Sequence, residues 1–447
     1  MSALPHSEEW WRPEATAAPA AVDPVGEATP QTGGGKTAYR ALLTFTLILL
    51  LAPQELVPIL RPFRIALLSA LVAIAAHLSD RFLFNRPVAV WGKEVALLGA
   101  LVGWAVLTLP FSYWPGGSYS FLLDFYFKTV AIFWLLATVV DDVERLRTLA
   151  WSLGAMAVPL AATGVKNFLS GNFIAGASDR IAGYAGGLTS NPNDLALMLN
   201  LILPLTLALL VTARRPFMRG VLAAMALVEI GGVITTFSRG GFLTLATIIA
   251  LHLWRQARRG AFVWAFLGVT ACAAGSLLLP SGYVARLATI VDNDADATGS
   301  AQERRHGMGM AVQIVMESPV TGAGVGMNAV AINRATGASW SKVHNVYLEY
   351  AVDLGLPGLL LFLLLLRACL ARVRSVRRAS AAGMTELSSL AEGIEIALIA
   401  FSVAALFHPV AYHFYFYYPA GLAVAAGSIH RGLSRRAEGY PPTPSVA

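Results

Sequence analysis

Ser318-Pro319-Val320-Thr321-Gly322-Ala323-Gly324-Val325-Gly326 leads on to His344-Asn345-Val346-Tyr347-Leu348-Glu349 and then to Leu354-Gly355-Leu356-Pro357-Gly358. A polar loop punctuated by glycine and proline runs here into an apolar helix, with a histidine at the junction. The helix stays apolar from Val346 to about residue 367, long enough to cross a bilayer. A histidine at such a junction stands at the water boundary. Asn345 is beside it and Glu349 about a turn further in, a position suited to a base or to a structural polar contact.

The rest of the chain reads as the scaffold for this junction. Its 447 residues are 56% hydrophobic and only 13% charged, whereas a soluble domain carries about 25% charge. The apolar residues fall into repeated runs near the length of a membrane span. The expected architecture is an all-α integral membrane protein with about twelve transmembrane helices, near 40–60, 63–79, 94–110, 119–140, 147–165, 193–212, 218–237, 240–256, 261–280, 346–367, 391–409 and 413–430. These occupy a membrane domain at 38–432, flanked by tails at 1–37 and 433–447 whose composition predicts disorder. A cleaved signal peptide is not expected, because the first apolar run begins near Ala41. No internal repeat of fixed period stands out.

Basic residues set the orientation. Twelve spans place 22 of the 33 lysines and arginines in one set of loops and at both termini, which is read as the cytoplasmic side. The net charge of +7 therefore reflects topology, and nucleic acid is not an expected partner. The outer side receives a medium loop at 166–192 and a long periplasmic loop at 281–345. Within the long loop, Met308, Val312, Val315 and Met316 predict an amphipathic helix over 303–317, lying on the membrane or over a cavity.

Against the general trend, the outer loops carry Lys166, Arg180, Arg239, Arg286, Arg304, Arg305, Arg334 and Lys342. Such a vestibule suits an anion, phosphate above all. Taken singly, each of these residues is also placed to meet lipid headgroups. Arg239 sits in Thr236-Phe237-Ser238-Arg239-Gly240-Gly241, a tight turn between two spans, where an arginine either has a partner or function or snorkels to headgroups. Arg180 precedes Ser190-Asn191-Pro192-Asn193-Asp194, a helix start that itself favours anions.

Other polar groups read more plainly. Asp124 and Lys128 lie four apart and predict an internal ion pair. Glu229 within a span needs a partner. Asp292, Asp294, Asp296 and Glu303 have the spacing of a calcium loop, but Ala297 takes the place of the required glycine, so a solvated acidic loop is the better reading. The two cysteines, Cys272 and Cys369, have no metal or redox spacing and read as small core residues. No metal and no cofactor is expected.

The ordered set of Arg180-x-x-Gly183, Asn191-Pro192-Asn193-Asp194, Phe237-Ser238-Arg239-Gly240, Arg304, Ser318-Pro319-x-x-Gly322-x-Gly324, His344-Asn345-x-Tyr347-Leu348 and Leu354-Gly355-Leu356-Pro357-Gly358 resembles the O-antigen ligase and O-antigen polymerase superfamily of bacterial envelope enzymes, over about 175–366. The resemblance implies a GT-C-like helical fold in the bacterial inner membrane with a periplasmic active site. It implies an inverting glycosyltransferase that moves a glycan from undecaprenyl pyrophosphate to an acceptor hydroxyl, without metal or nucleotide sugar. The acceptor class stays open between lipid A-core, a growing lipopolysaccharide or exopolysaccharide chain, and protein. On this resemblance Arg180, Arg239 and Arg304 hold the pyrophosphate and His344 approaches the acceptor hydroxyl or the reacting phosphate. Met308 departs from the tryptophan the family often has four residues after the loop arginine, and Arg305 beside Arg304 leaves that register open. The competing class is a repeat-unit transporter or flippase, which would place its helix breaks and polar groups near mid-membrane.

Overall fold

A computed structural model describes residues 35–84, 88, 91–174, 180–184, 187–263, 266, 268–270, 300–337, 342–379 and 385–438. Its main helices are α1 (Lys36–Leu51), α2 (Pro58–Leu83), α3 (Lys93–Leu107), α4 (Pro115–Val139), α5 (Val143–Leu169), α6 (Pro192–Thr212), α7 (Pro216–Thr235), α8 (Arg239–Arg258), α9 (Ser300–Glu317), α10 (Asn328–Thr336), α11 (Val346–Ala379), α12 (Thr385–Ala404) and α13 (Phe414–Ala437). Among the described residues the only extended pairing is an isolated bridge between Phe173 and Ile181. An all-helical chain satisfies its backbone within each segment, as a bilayer demands.

Among the described residues seven helices are long and apolar enough to cross a membrane: α2, α4, α5, α6, α7, α11 and α12. The other expected spans at 40–60, 94–110, 240–256 and 413–430 coincide with α1, α3, α8 and α13, which fall outside that group by length or composition. Most of the ninth expected span, 261–280, lies outside the described residues, as do 281–299 with the acidic run Asp292–Asp296 and Cys272.

Local chemistry fixes several helix starts. The side chains of Asp142, Asn191 and Ser238 accept hydrogen bonds from Arg145 N, Asn193 N and Gly241 N, capping α5, α6 and α8. Asn345 does the same for α11, accepting from Tyr347 N and Leu348 N. α6 is the most enclosed span and packs on α12, α7 and α5, whereas α2 turns Leu67, Leu68, Leu71 and Val72 outward. α11 packs on α3, α12 and α13, and Cys369 is buried within it as a small core residue.

One expectation is corrected. Asp124 and Lys128 are both exposed and form no ion pair among the described residues. Asp124 lies inside a π-helical turn, Leu122–Tyr126, which breaks the four-residue register to Lys128. In α9 the buried residues are Ala311, Ile314 and Val315, packed on Ala351 and Val352 of α11, while Met308, Val312 and Met316 face outward. The helix sets its smaller face against α11 and turns Met308, Val312 and Met316 away from the protein. Glu229 does find a partner: it accepts a 2.9 Å hydrogen bond from Thr206 Oγ1, buried between α6 and α7.

The two ends of the bundle differ chemically. At one end Arg372 pairs with Glu94 at 2.8 Å, Arg147 with Glu386 at 3.5 Å, and Arg255, Arg374 and Arg377 all with Glu395 at 2.9 Å. That end carries the arginines assigned to a single side from sequence. The junction that contains His344 lies at the other.

Candidate functional site

The site end is built around a clasp between the glycine-rich loop and α11. Gly355 has φ +68° and ψ −175°, a break within α11. Backbone bonds cross it: Ala323 N to Val352 O at 2.7 Å, Gly324 N to Asp353 O at 2.9 Å and Leu356 N to Pro319 O at 2.8 Å. A Cβ on Gly322 would lie 2.6 Å from Asp353 backbone, and one on Gly355 would lie 2.2 Å from Val320 O. Both glycines also have positive φ, so only glycine fits either side of this contact. The two sequence motifs, separate along the chain, are the two halves of one joint.

Polar side chains tie the joint to its surroundings. Asp353 accepts from Gly326 N at 3.0 Å and from Asn328 Nδ2 at 3.4 Å. Glu349 accepts from Asn328 Nδ2 at 3.3 Å and from Ala411 N at 3.0 Å. Asn328 Oδ1 in turn accepts from Val343 N, next to His344. Glu349 is buried and spends its carboxylate on structure, away from the role of a base beside His344. On the far side of Ala411, its carbonyl accepts from Tyr350 Oη at 2.7 Å. Tyr350 Oη must then accept from Tyr417, 2.8 Å away, and Tyr417 from Tyr126, 2.9 Å away. A directed chain of hydroxyls therefore links α4, α13 and α11.

His344 is half-buried, with Nδ1 2.9 Å from the carbonyl oxygen of Lys342. A carbonyl only accepts, so in the neutral ring the proton is on Nδ1 and the lone pair on Nε2. Val346 N, two residues on, donates to Ala405 O at 2.8 Å, fixing this junction to the end of α12.

Arg239 opens α8 directly after its cap, Ser238. Phe237 adopts φ +54° to make the turn and packs on Phe168 at 5.7 Å. Arg239 is half-buried, and its neighbour Gly240 lies against Phe407 and His408. His408 is buried, with Nδ1 2.9 Å from Ala404 O and Nε2 3.3 Å from Asn193 O. This ring connects the Arg239 turn, the start of α6 and the end of α12.

Arg180 belongs to the segment paired through the Phe173–Ile181 bridge. Its carbonyl accepts from Ile174 N at 2.7 Å, and Gly183 N donates to Ser190 O at 3.0 Å. The segment thus lies over the start of α6, as its sequence suggested. Arg304 is in the first part of α9, and its side chain is outside the described residues. Arg334, counted from sequence among the vestibule cations, is committed elsewhere: it donates to Tyr113 O at 2.9 Å and stacks over the Tyr113 ring.

The region also holds residues that sequence reading passed over. His413, at the start of α13, packs edge-on against Phe125 at 4.7 Å. Burial, with the nearby Lys342 ammonium, pushes its pKa down to about 4. Lys342 also acts electrostatically on Asp194 and Glu349. His408 and His413 had one sequence signal, two histidines in the short polar break before an aromatic helix. Nothing in that break alone points to α6 or α8.

Among the described residues no group of three or more His, Cys, Asp or Glu is placed to hold a metal ion. The helix starts of α6, α8, α11 and α13, each with a polar or basic side chain, meet at one end of the bundle, and residues 221–363 match the family model described as O-antigen ligase. That stretch, about a third of the chain, is similar to the O-antigen ligase family. The match takes in Arg239, the clasp and His344, and leaves out Arg180, His408 and His413. The match and the long apolar helices both fit a multi-pass membrane protein. No curated protein matches the chain.

Proposed function

We propose that this protein is an inverting, metal-independent glycosyltransferase of the bacterial inner membrane. It moves an oligo- or polysaccharide from undecaprenyl pyrophosphate to an acceptor hydroxyl at the periplasmic face. The observation that carries this reading is that the Arg239 turn, the His344 junction and the start of α6 meet at the end of α12: Gly240 lies against His408, His408 Nε2 is 3.3 Å from Asn193 O, and Val346 N donates to Ala405 O. Polar and basic groups gathered at helix ends suit a lipid-borne anion at the membrane boundary better than they suit a mid-membrane transport path.

In this mechanism Arg180, Arg239 and Arg304 hold the pyrophosphate. Guanidinium groups stay protonated and bind phosphate oxygens bidentately. His344 Nε2 takes the proton of the acceptor hydroxyl as that oxygen attacks the anomeric carbon. The bond from that carbon to the pyrophosphate oxygen breaks, its electron pair passes to the leaving oxygen, and the arginines stabilise the developing charge. Attack opposite the leaving group inverts the centre. The acceptor is lipid A-core for a ligase or a growing chain for a polymerase.

The test uses the purified full chain in lipid, given a polyprenyl-pyrophosphate-linked glycan and a hydroxyl acceptor. A new glycosidic product is expected from the wild type, and its loss from His344→Ala with the fold retained. Movement of the lipid-linked glycan across the bilayer with no product would establish the flippase instead. Full activity in folded His344→Ala would end the assignment of His344.

A further inference from the structure

The opposite end of the bundle holds a second basic site. A cavity of about 1390 Å³ opens there, and Arg147, Arg214, Arg215 and Arg259 lie along it with Glu386 as the lone carboxylate among its lining residues. Arg147 is already paired with Glu386, and Arg259 with Glu392. Arg214 and Arg215 are exposed and have no ion-pair partner among the described residues. The cavity thus keeps two positive charges uncompensated.

Its walls have a second property. Below the arginines they are made of Trp151, Leu209, Val211 and Met218 from α5, α6 and α7, the same helices that are long and apolar enough to cross the membrane. Cations above and hydrocarbon below fit one class of ligand, an amphiphile with an anionic head. A soluble phosphate would meet the arginines and leave the apolar wall uncovered.

We infer that this cavity binds the headgroup of an anionic phospholipid from the leaflet at the arginine-rich end, separately from the site around His344. Arg214 and Arg215 meet the phosphate, and the acyl chains run down the groove beside Trp151. The site is independent of the glycan-transfer reading and stands whatever reaction the other end performs.

The test is lipid retention by the full chain in detergent, measured by native mass spectrometry after exposure to phosphatidylglycerol or phosphatidylcholine. An Arg214→Ala/Arg215→Ala variant is run alongside, and its fold is checked by thermal melting. The expected result is selective retention of phosphatidylglycerol, weakened about 30-fold in the variant, as two cations beside an anionic headgroup imply. Equal retention of both lipids, or equal retention by wild type and a folded variant, overturns the inference. So does inorganic phosphate alone stabilising the protein as much as the lipid does, since that marks a soluble-anion site. If the double variant does not fold, Arg214→Gln alone serves, with a smaller loss of selectivity expected and no loss counting against the proposal.

Discussion

At the scale of single residues, Arg239 separates chemistry from structure. It is half-buried at the start of α8, and the turn it follows is held by Ser238 and Phe237. Arg239→Ala is expected to lower glycan transfer by about 100-fold or more at matched membrane levels, the usual loss when one charge-stabilising donor is removed. Arg239→Lys should restore only part of the rate, because an ammonium lacks the bidentate fork. His413 gives a pH prediction. Its folded-state pKa of about 4 lies below the ordinary histidine value of 6.5. The unfolded chain then binds more protons between those values, so this contribution to stability is complete above about pH 6.5 and is lost as pH falls toward 4. Thermal melts at pH 7.5 and pH 5 should show a drop for the wild type that is smaller for His413→Phe. The placement of Arg239 and His344 at helix starts was legible in the sequence because each sits at the junction between a polar turn and an apolar run. His408 and His413 were not, since what matters about them is which other helix ends they touch, and that is a property of packing alone.

At the scale of elements, the joint between the glycine loop and α11 carries the sharpest structural expectation. Gly324 has φ +107°, and a Cβ there would come within 2.0 Å of Ser112 Oγ. Gly324→Ala should destabilise the protein by about 2 kcal/mol or more, from backbone strain and overpacking together, visible as a lower melting temperature in detergent. The opposite end offers a matching case. Glu395 is buried and meets Arg255, Arg374 and Arg377. Glu395→Ala takes the carboxylate from Arg374 and Arg377 and leaves Arg255 with only Glu392, 3.7 Å away; breaking a buried pair typically costs on the order of 3–5 kcal/mol. Denaturant titration would register it, and little change would mean water reaches those arginines. Helix existence was legible from hydropathy. The outward face of α9 was not, because an apolar stripe does not say whether protein or lipid will cover it, and here Ala311 allowed the closer approach to α11. The π turn in α4 likewise leaves no periodic signal.

At the scale of the molecule, the chemical contrast between the two ends makes sidedness measurable. Arg214→Cys and Lys342→Cys, each in a background without Cys272 and Cys369, should be labelled by a membrane-impermeant maleimide from opposite sides of intact cells or oriented vesicles. Labelling of both from one side would break the shared-end argument for the site. The sidedness pattern was legible because lysines and arginines sort by loop, and the salt bridges of α3, α5, α8, α11 and α12 collect those arginines at one end. The number of spans was less legible, since α1, α3, α8 and α13 have helical sequence without the length or composition that marks a crossing.

The clasp has a consequence for variation. Hydrogen bonds from Gly324 to Asp353 and from Leu356 to Pro319 pin both ends of the segment between them. That segment carries α10, His344 and the first turns of α11, so the two bonds fix where the ends of the stretch before His344 stand. Closing a loop twice as long costs only about 0.6 kcal/mol more. Insertions on the stretch leading to His344 can therefore reshape what meets the histidine while the bundle stays as it is. The anchor points tolerate almost no substitution, and Asn328, Glu349 and Tyr350 between them are held by their own hydrogen bonds, which leaves the stretch between Thr336 and Lys342 as the part where a change of length can alter acceptor preference at least cost to stability.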